Sequence, residues 1–165
     1  MKIFILTVIM VLTGTFIYAQ DAGKKSKKDL KAEAKAQKIK LIKEIVASKN
    51  FIFKAESVNP VNAGTKVLTS DFGIEIRNDS IFSYMPYYGN TYSKDYSSFT
   101  NSPMGFIQPL ESYKQSKKKS GYLIDVQVKN QHDIIDLTFH ISKTGITSVS
   151  ASSINRQNIT YTGEI

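Results

Sequence analysis

Beyond Asn50, apolar and polar residues alternate in short segments that are separated by turn-forming residues. Strict alternation places successive side chains on opposite faces of an extended chain, which is typical of half-buried β-strands. Seven segments show this pattern: residues 51–56, 72–77, 80–85, 122–129, 135–141, 145–150 and 158–165. Two shorter segments, residues 66–70 and 105–114, are each expected to add a strand. The pattern therefore predicts a mainly β domain over residues 51–165.

Short turns connect several of these segments. Asn78-Asp79, residues 130–133 and residues 142–145 are each short enough for an antiparallel hairpin. About nine strands in the 115 residues from Phe51 onward give roughly 12 to 13 residues per strand and turn, near the spacing of all-β barrels and sandwiches. Because closure removes exposed strand edges, we expect a single antiparallel, mostly up-and-down β-barrel of about eight to nine strands. A β-sandwich is the alternative.

The alternation also predicts which side chains point into the barrel. The apolar faces of two neighbouring strands consist of Tyr122, Ile124, Val126, Val128, Ile135, Leu137, Phe139 and Ile141. Their opposite faces, which are expected to contact water, carry Asp125, Gln127, Asp136, Thr138 and His140.

The first residues have the layout of a secretory signal peptide. Met1-Lys2 precedes an apolar run that ends at the small residue Ala19, so residues 1–19 are the expected signal peptide, with cleavage after Ala19. An uncleaved membrane anchor is the alternative, although the run is short for a span and contains three threonines. The chain has no cysteine. We therefore expect an exported protein, periplasmic or extracellular, that is soluble after cleavage and uses no disulfides.

Residues 20–50 form a basic leader to the β domain. Residues 21–50 contain ten lysines against four acids, whereas residues 51–165 carry eleven bases against ten acids. Strong helix formers without glycine or proline predict one N-terminal α-helix over about residues 27–48. Apolar residues recur at helical spacing only in its second half: Ile39, Leu41, Ile42, Ile45 and Val46. The helix is therefore expected to dock on the β domain by its C-terminal two turns.

The lysines of this helix suggest a negatively charged partner. Through the lysines from Lys24 to Lys43, this basic segment could contact an anionic membrane surface or an acidic partner. The alternative is a solvated lysine face without a partner.

Five of the nine tyrosines lie between Ser83 and Tyr96: Tyr84, Tyr87, Tyr88, Tyr92 and Tyr96. Tyrosine combines a large apolar ring with a polar hydroxyl, which suits both ligand contact and core packing. Residues 86–103 lack clear alternation and are long for a simple connection, so we expect a lid or rim at the barrel mouth. Our first hypothesis is that these tyrosines bind a small apolar or amphipathic ligand there. The alternative is that they pack the core and the rim.

Several short motifs resemble one known family. They are a phenylalanine-rich strand after a lysine-rich helix, Leu68-Thr-Ser, Arg77-Asn-Asp-Ser-Ile, Tyr84-Met-Pro-Tyr-Tyr-Gly, Gly105-Phe and the C-terminal Ile159-Thr-Tyr-Thr-Gly-Glu-Ile. Through these motifs, nearly the whole mature chain resembles the secreted Bacteroidota family called domain of unknown function 4251 (DUF4251). Family members usually have phenylalanine where this chain has Tyr88. The resemblance implies a small exported β-barrel of lipocalin-like shape with an N-terminal helix, and it implies no activity.

The sequence offers little catalytic chemistry. His132 and His140 are eight residues apart and have no cysteine partners, which matches no usual zinc spacing. Asp133 and Asp136 are close to His132 in sequence, where a carboxylate is usually a local cap or a surface pair. A Gly-x-Ser-x-Gly motif and a phosphate-binding glycine loop are both missing from the sequence. We therefore expect a protein that is not an enzyme and uses no metal or cofactor.

Two further expectations concern partners and modification. Nucleic acid is not expected as a partner, because the tyrosines lie in the nearly neutral part of an exported chain. Asp79-Ser80-Ile81 resembles a short O-glycosylation signal of exported Bacteroidota proteins, which makes Ser80 a candidate modification site. The alternative is that Asn78-Asp79 simply forms a tight turn.

Overall fold

The computed structural model describes residues 26–92, 102–130 and 133–165. The predicted signal peptide, Lys24, Tyr96 and His132 lie outside these residues. The chain divides into two compact units, Met1–Ala36 and Gln37–Ile165. Among the described residues, no helix combines the length and the apolar character that crossing a membrane requires.

Helix α1 spans Lys27–Ser48, the range that its composition predicts. The side-chain oxygen of Ser26 accepts hydrogen bonds from the backbone N–H groups of Lys28 (3.1 Å) and Asp29 (3.4 Å), which caps the first turn. Lys49 follows the helix in a left-handed conformation with a φ of 55°, and this residue ends the helical path.

The second half of α1 packs on the barrel through one side of the helix. Ile42 and Val46, one helical turn apart, are buried in the same core as the strands. Gly145 makes room for Ile42, because a Cβ atom at Gly145 would lie 2.9 Å from Ile42 Cδ1. The φ of 90° at Gly145 also favours glycine. The helix is therefore seated by specific contacts of its last turns.

Nine strands follow α1 within the described residues. In chain order they are β1 (Phe51–Pro60), β2 (Lys66–Val67), β3 (Gly73–Arg77), β4 (Ser80–Tyr84), β5 (Gly105–Lys117), β6 (Gly121–Asn130), β7 (Asp133–Ser142), β8 (Ile146–Ser153) and β9 (Arg156–Glu164).

Eight of these strands close into a barrel. From β3 to β9 each strand pairs antiparallel with the next one along the chain. β1 pairs with β3 through residues 51–54 and with β9 through residues 54–60, which joins the two ends of the sheet. β2 is an extra strand that pairs with β1 at Ser57 and Val58. The predicted up-and-down barrel is confirmed, and the alternative of a sandwich is wrong.

The first strand is longer than its alternation suggested. β1 continues to Pro60, whereas the sequence pattern ended at Glu56. A β-bulge between Ala55 and Ser57 shifts the register by one residue, so the buried positions change from odd to even numbers. The strand therefore continues while its apparent alternation is interrupted.

The barrel interior is filled by aromatic and branched side chains. Phe51 and Phe53 both meet Phe139 edge to face, with ring centroids 5.7 and 6.4 Å apart. The two predicted inward faces are confirmed, with Tyr122 half-buried and Ile124, Val126, Val128, Ile135, Leu137, Phe139 and Ile141 fully buried. Eight strands enclose an interior of about the size that side chains alone can fill.

The direction of the strands gives the barrel two distinct ends. One end, here called the helix end, carries the end of α1, the start of β1 and the turn at Asn78-Asp79. The opposite end, here called the Arg156 end, carries the end of β4 at Tyr84 and the starts of β7 and β9 at Asp133 and Arg156. Four of the five clustered tyrosines, Tyr84, Tyr87, Tyr88 and Tyr92, are described and lie towards the Arg156 end.

Candidate ligand-binding groove

The structure separates the predicted tyrosine contacts instead of bringing them together. Tyr84 ends β4 with its ring on the outer face of the barrel, where it is 68% exposed. Tyr87 is partly buried, Tyr88 is 44% exposed and stacks under the Lys66 ammonium at 4.3 Å, and Tyr92 is 70% exposed. Tyr96 lies outside the described residues. The four described tyrosines therefore differ in their exposure and in their contacts.

Tyr87 packs against the start of β9. Its hydroxyl donates hydrogen bonds to the carbonyl oxygens of Gln157 (2.7 Å) and Asn90 (3.0 Å). Burial raises the pKa of the Tyr87 phenol, although the positive charge of Arg156 acts in the opposite direction. Tyr87 thus holds its segment against the start of β9.

Residues 85–92, here called the end segment, close the Arg156 end of the barrel. The hydroxyl of the buried Tyr161 donates to the carbonyl of Pro86 (2.7 Å), so an interior side chain holds the segment. Backbone hydrogen bonds run from Gln157 N to the Asn90 carbonyl (2.9 Å) and from Tyr92 N to the Asn155 carbonyl (2.8 Å). Met85 is buried below the segment. The described first part of the predicted rim, residues 86–92, is therefore bonded to β9.

A buried ion pair lies under the end segment. Arg156 and Asp133 face each other through Arg156 Nη2 and Asp133 Oδ2, and their side chains are 1% and 0% exposed. Arg156 Nη1 also donates to the Pro103 carbonyl (2.7 Å). Asp133 Oδ1 accepts from Ser153 Oγ (2.7 Å) and Asn155 Nδ2 (3.0 Å). The pair ties together the starts of β5, β7 and β9.

This pair corrects the sequence-based interpretation of Asp133. We expected a local cap or a surface pair beside His132, whereas Asp133 is fully buried and its cationic partner is 23 residues away. One signal was available, because only two of the 22 basic residues are arginine. Arginine is the cation preferred for buried, multidentate pairs. The rarity of arginine in this lysine-rich chain therefore indicated Arg156 as a candidate for a buried ion pair.

An open groove lies on the outer face of β1, β3, β4 and β5. Strand register places Ile52, Glu75, Phe82 and Ile107 in one row across the four strands. In the next row Tyr84 stands between Gly73 and Gly105, which have no side chains to cover its ring. We call this site the Tyr84 groove; its main lining residues are Ile52, Asp71, Glu75, Phe82, Tyr84 and Ile107.

Several apolar side chains of the Tyr84 groove are exposed. Ile52 is 52% exposed, and Tyr84 and Ile107 are each 68% exposed. The ring of Phe72 stacks on Tyr84 at 5.4 Å with an interplanar angle of 28°, which supports the exposed ring from one side. The groove has a volume of about 600 Å³. This volume is within the range of small-molecule sites.

Two carboxylates give the groove a polar part. Asp71 and Glu75 are both lining residues. Arg77 Nε donates to Glu75 Oε1 (2.9 Å), and the Arg77 guanidinium carbon lies 5.6 Å from the ring centroid of Phe82. Glu75 therefore belongs to a carboxylate–guanidinium–aromatic stack at the edge of the groove.

The other candidates from the sequence lie apart from this groove. His140 is exposed on β7 and borders a smaller pocket of about 250 Å³. Ser80 begins β4 directly after the Asn78-Asp79 turn, in which Asn78 has a φ of 55°. Among the described residues, no three His, Cys, Asp or Glu side chains are grouped so that they could hold a metal ion.

Comparisons with known proteins concern the family and the fold. The family model of DUF4251, a domain of unknown function, matches residues 33–165. A crystal structure of a DUF4251 family protein from Bacteroides eggerthii is similar with a TM-score of 0.61 and 13% sequence identity, over 80% of this chain and 89% of that chain. At this identity the similarity establishes the fold alone. Among curated proteins, none matches this chain.

Proposed function

The chain belongs to the DUF4251 family, and we propose that it is a non-catalytic protein that binds a small amphipathic ligand in the Tyr84 groove. We propose also that it acts outside the cytoplasm after cleavage at Ala19; the support for this is the sequence of residues 1–19. The binding proposal keeps one predicted contact, Tyr84, and moves the site from the barrel mouth to the adjacent outer face.

The exposure of the groove residues carries this proposal. Three large apolar side chains, Ile52, Tyr84 and Ile107, are each more than half exposed around one concave site. Apolar side chains around a concave site, together with a few polar groups, are typical of small-molecule sites. Covering one large apolar side chain contributes roughly 1.5 to 3 kcal/mol. The carboxylates of Asp71 and Glu75 would fix the orientation of a polar group on the same ligand.

Replacement of Tyr84 tests the proposal. The neutral dye N-phenyl-1-naphthylamine serves as the probe, because its fluorescence rises when it enters an apolar site. Tyr84→Ala should weaken dye binding by about tenfold or more, since the ring contributes at least about 1.4 kcal/mol of contact. Tyr92→Ala is the matched control, because Tyr92 is equally exposed (70%) and does not line the groove. Equal affinities of the two variants would contradict the proposal.

A second candidate function concerns the first half of α1, and we propose it as contact with an anionic membrane surface. The helix carries seven lysines against three acids. Leu30 and Ala34 share one side of this first half, because a spacing of four residues returns to the same face. Leu30 is 52% exposed. Lysines beside an exposed apolar stripe are the features of interfacial helices.

Charge-neutral variants test this second candidate. Replacing Lys28, Lys31 and Lys35 by glutamine should weaken binding to vesicles of phosphatidylglycerol and phosphatidylcholine by about 100-fold at low salt, at about 1 kcal/mol per lysine. The control replaces Lys117, Lys118 and Lys119 by glutamine. This replacement changes the net charge by the same amount, but the three residues lie at the β5–β6 hairpin. Equal vesicle binding by both variants would exclude a role of the helix.

A further inference from the structure

The carboxylates of the Tyr84 groove indicate which amphipathic molecules it would take. Resting on the proposed function, we propose that the groove selects amphipathic cations: an ammonium group lies beside Asp71 and Glu75, and an apolar chain covers Tyr84 and Ile107. The argument depends on the local charge, on the aromatic rings and on the contacts that Arg77 already makes.

The local charge of the groove is opposite to that of the whole protein. The chain has a net charge of +8, with 22 basic and 14 acidic residues. Among the described residues that line the groove, two are acidic and none is a lysine, arginine or histidine. Lys54 is in the same cross-strand row as Tyr84, but it is not one of the lining residues of the groove. The groove is thus an acidic site on a basic protein.

Arg77 shows how a cation is held at this edge of the groove. Its guanidinium pairs with Glu75 and lies over the ring of Phe82. Both hydrogen bonds from Arg77 go to the same carboxylate oxygen, Oε1 of Glu75. Aromatic rings attract cations through the negative face of the π-system. Because Arg77 compensates part of the Glu75 charge, Asp71 supplies most of the remaining attraction for a ligand.

The shape of the groove explains why the cation should carry an apolar chain. Tyr84 stands between two glycines, and Ile107 lies next to it on β5. An extended chain placed over these residues would cover the most exposed apolar surface of the site. A compact cation without such a chain would meet only the carboxylates, where exposed charge pairs contribute little.

Three amphiphiles with the same ten-carbon chain test the proposal. Decyltrimethylammonium, decyl maltoside and decyl sulfate, each below its micelle concentration, displace N-phenyl-1-naphthylamine from the protein. Decyltrimethylammonium should bind about tenfold more tightly than decyl maltoside, and decyl sulfate should bind most weakly. The double variant Asp71→Asn, Glu75→Gln should bring the affinities for the cationic and neutral compounds to within about twofold of each other.

Glu111→Gln is the matched control, because Glu111 is an exposed carboxylate on β5 that does not line the groove. If decyl maltoside binds and decyltrimethylammonium binds no better, the cation preference is wrong while the Tyr84 groove remains a binding site. A cation preference that survives the double variant also overturns the inference. If none of the three compounds displaces the dye, the proposed function fails as well.

Discussion

Arginine occurs twice in this chain, and its two ion pairs differ in the surroundings of their charges. The Arg77 side chain is 61% exposed beside Glu75, whereas the Arg156 side chain is 1% exposed beside Asp133. Exposed pairs contribute about 0 to 1 kcal/mol, because water screens both partners. Removing one partner of a buried pair costs about 3 to 5 kcal/mol, because the other charge remains buried. The same type of ion pair therefore contributes differently to stability at the two sites.

Arg156→Met should destabilise the protein by about 3 to 5 kcal/mol, since it leaves the Asp133 carboxylate buried without its cation. Arg77→Met is the control and should cost about 1 kcal/mol or less. The free energy of unfolding in urea measures both. In the double variant Arg156→Met, Asp133→Leu, part of the stability should return, because no charge is left buried. Equal costs of the two arginine variants would show that the buried pair does not hold the Arg156 end.

At the scale of elements, the sequence predicted most of what repeats regularly. The bounds of α1 followed from composition, and the faces of β6 and β7 followed from strict alternation. β-Bulges limited the prediction of the other strands, because they interrupt the alternation. In β1 the bulge at Ala55/Ser57 interrupts the alternation that the prediction relied on. A second bulge lies between Leu110 and Ser112, in a strand that runs to Lys117 beyond its predicted end.

The candidate site was only partly predictable for a related reason. Tyr84 is conspicuous in the sequence, but its neighbours are decided by strand register. Ile52 and Ile107 are 55 residues apart and meet in one row because β1, β3, β4 and β5 pair in a particular alignment. Asp133 and Arg156 are likewise distant in sequence and are brought together by the arrangement of the strands. Local patterns identify which face a residue occupies, whereas long-range pairing selects its partners.

At the scale of the barrel, both ends of the interior are occupied by the chain itself. Ile42 and Val46 of α1 are buried in the core at the helix end, and the end segment covers the opposite end through Tyr161 and β9. Phe53, Phe139 and Tyr161 are fully buried in between. Because these described side chains fill the interior, our proposal places binding at the Tyr84 groove on the outer face.

Isoleucine methyl groups distinguish an outer site from an interior site most directly. Ile52 and Ile107 lie on the outer face beside Tyr84, while Ile74 and Ile81 on the neighbouring strands are fully buried inside the barrel. NMR spectra of protein labelled at the isoleucine δ1-methyl groups, recorded during titration with N-phenyl-1-naphthylamine, report on both faces at once. We predict that the signals of Ile52 and Ile107 shift while those of Ile74 and Ile81 stay in place. The reverse pattern, with shifts confined to Ile74 and Ile81, would place the ligand inside the barrel and contradict the outer groove.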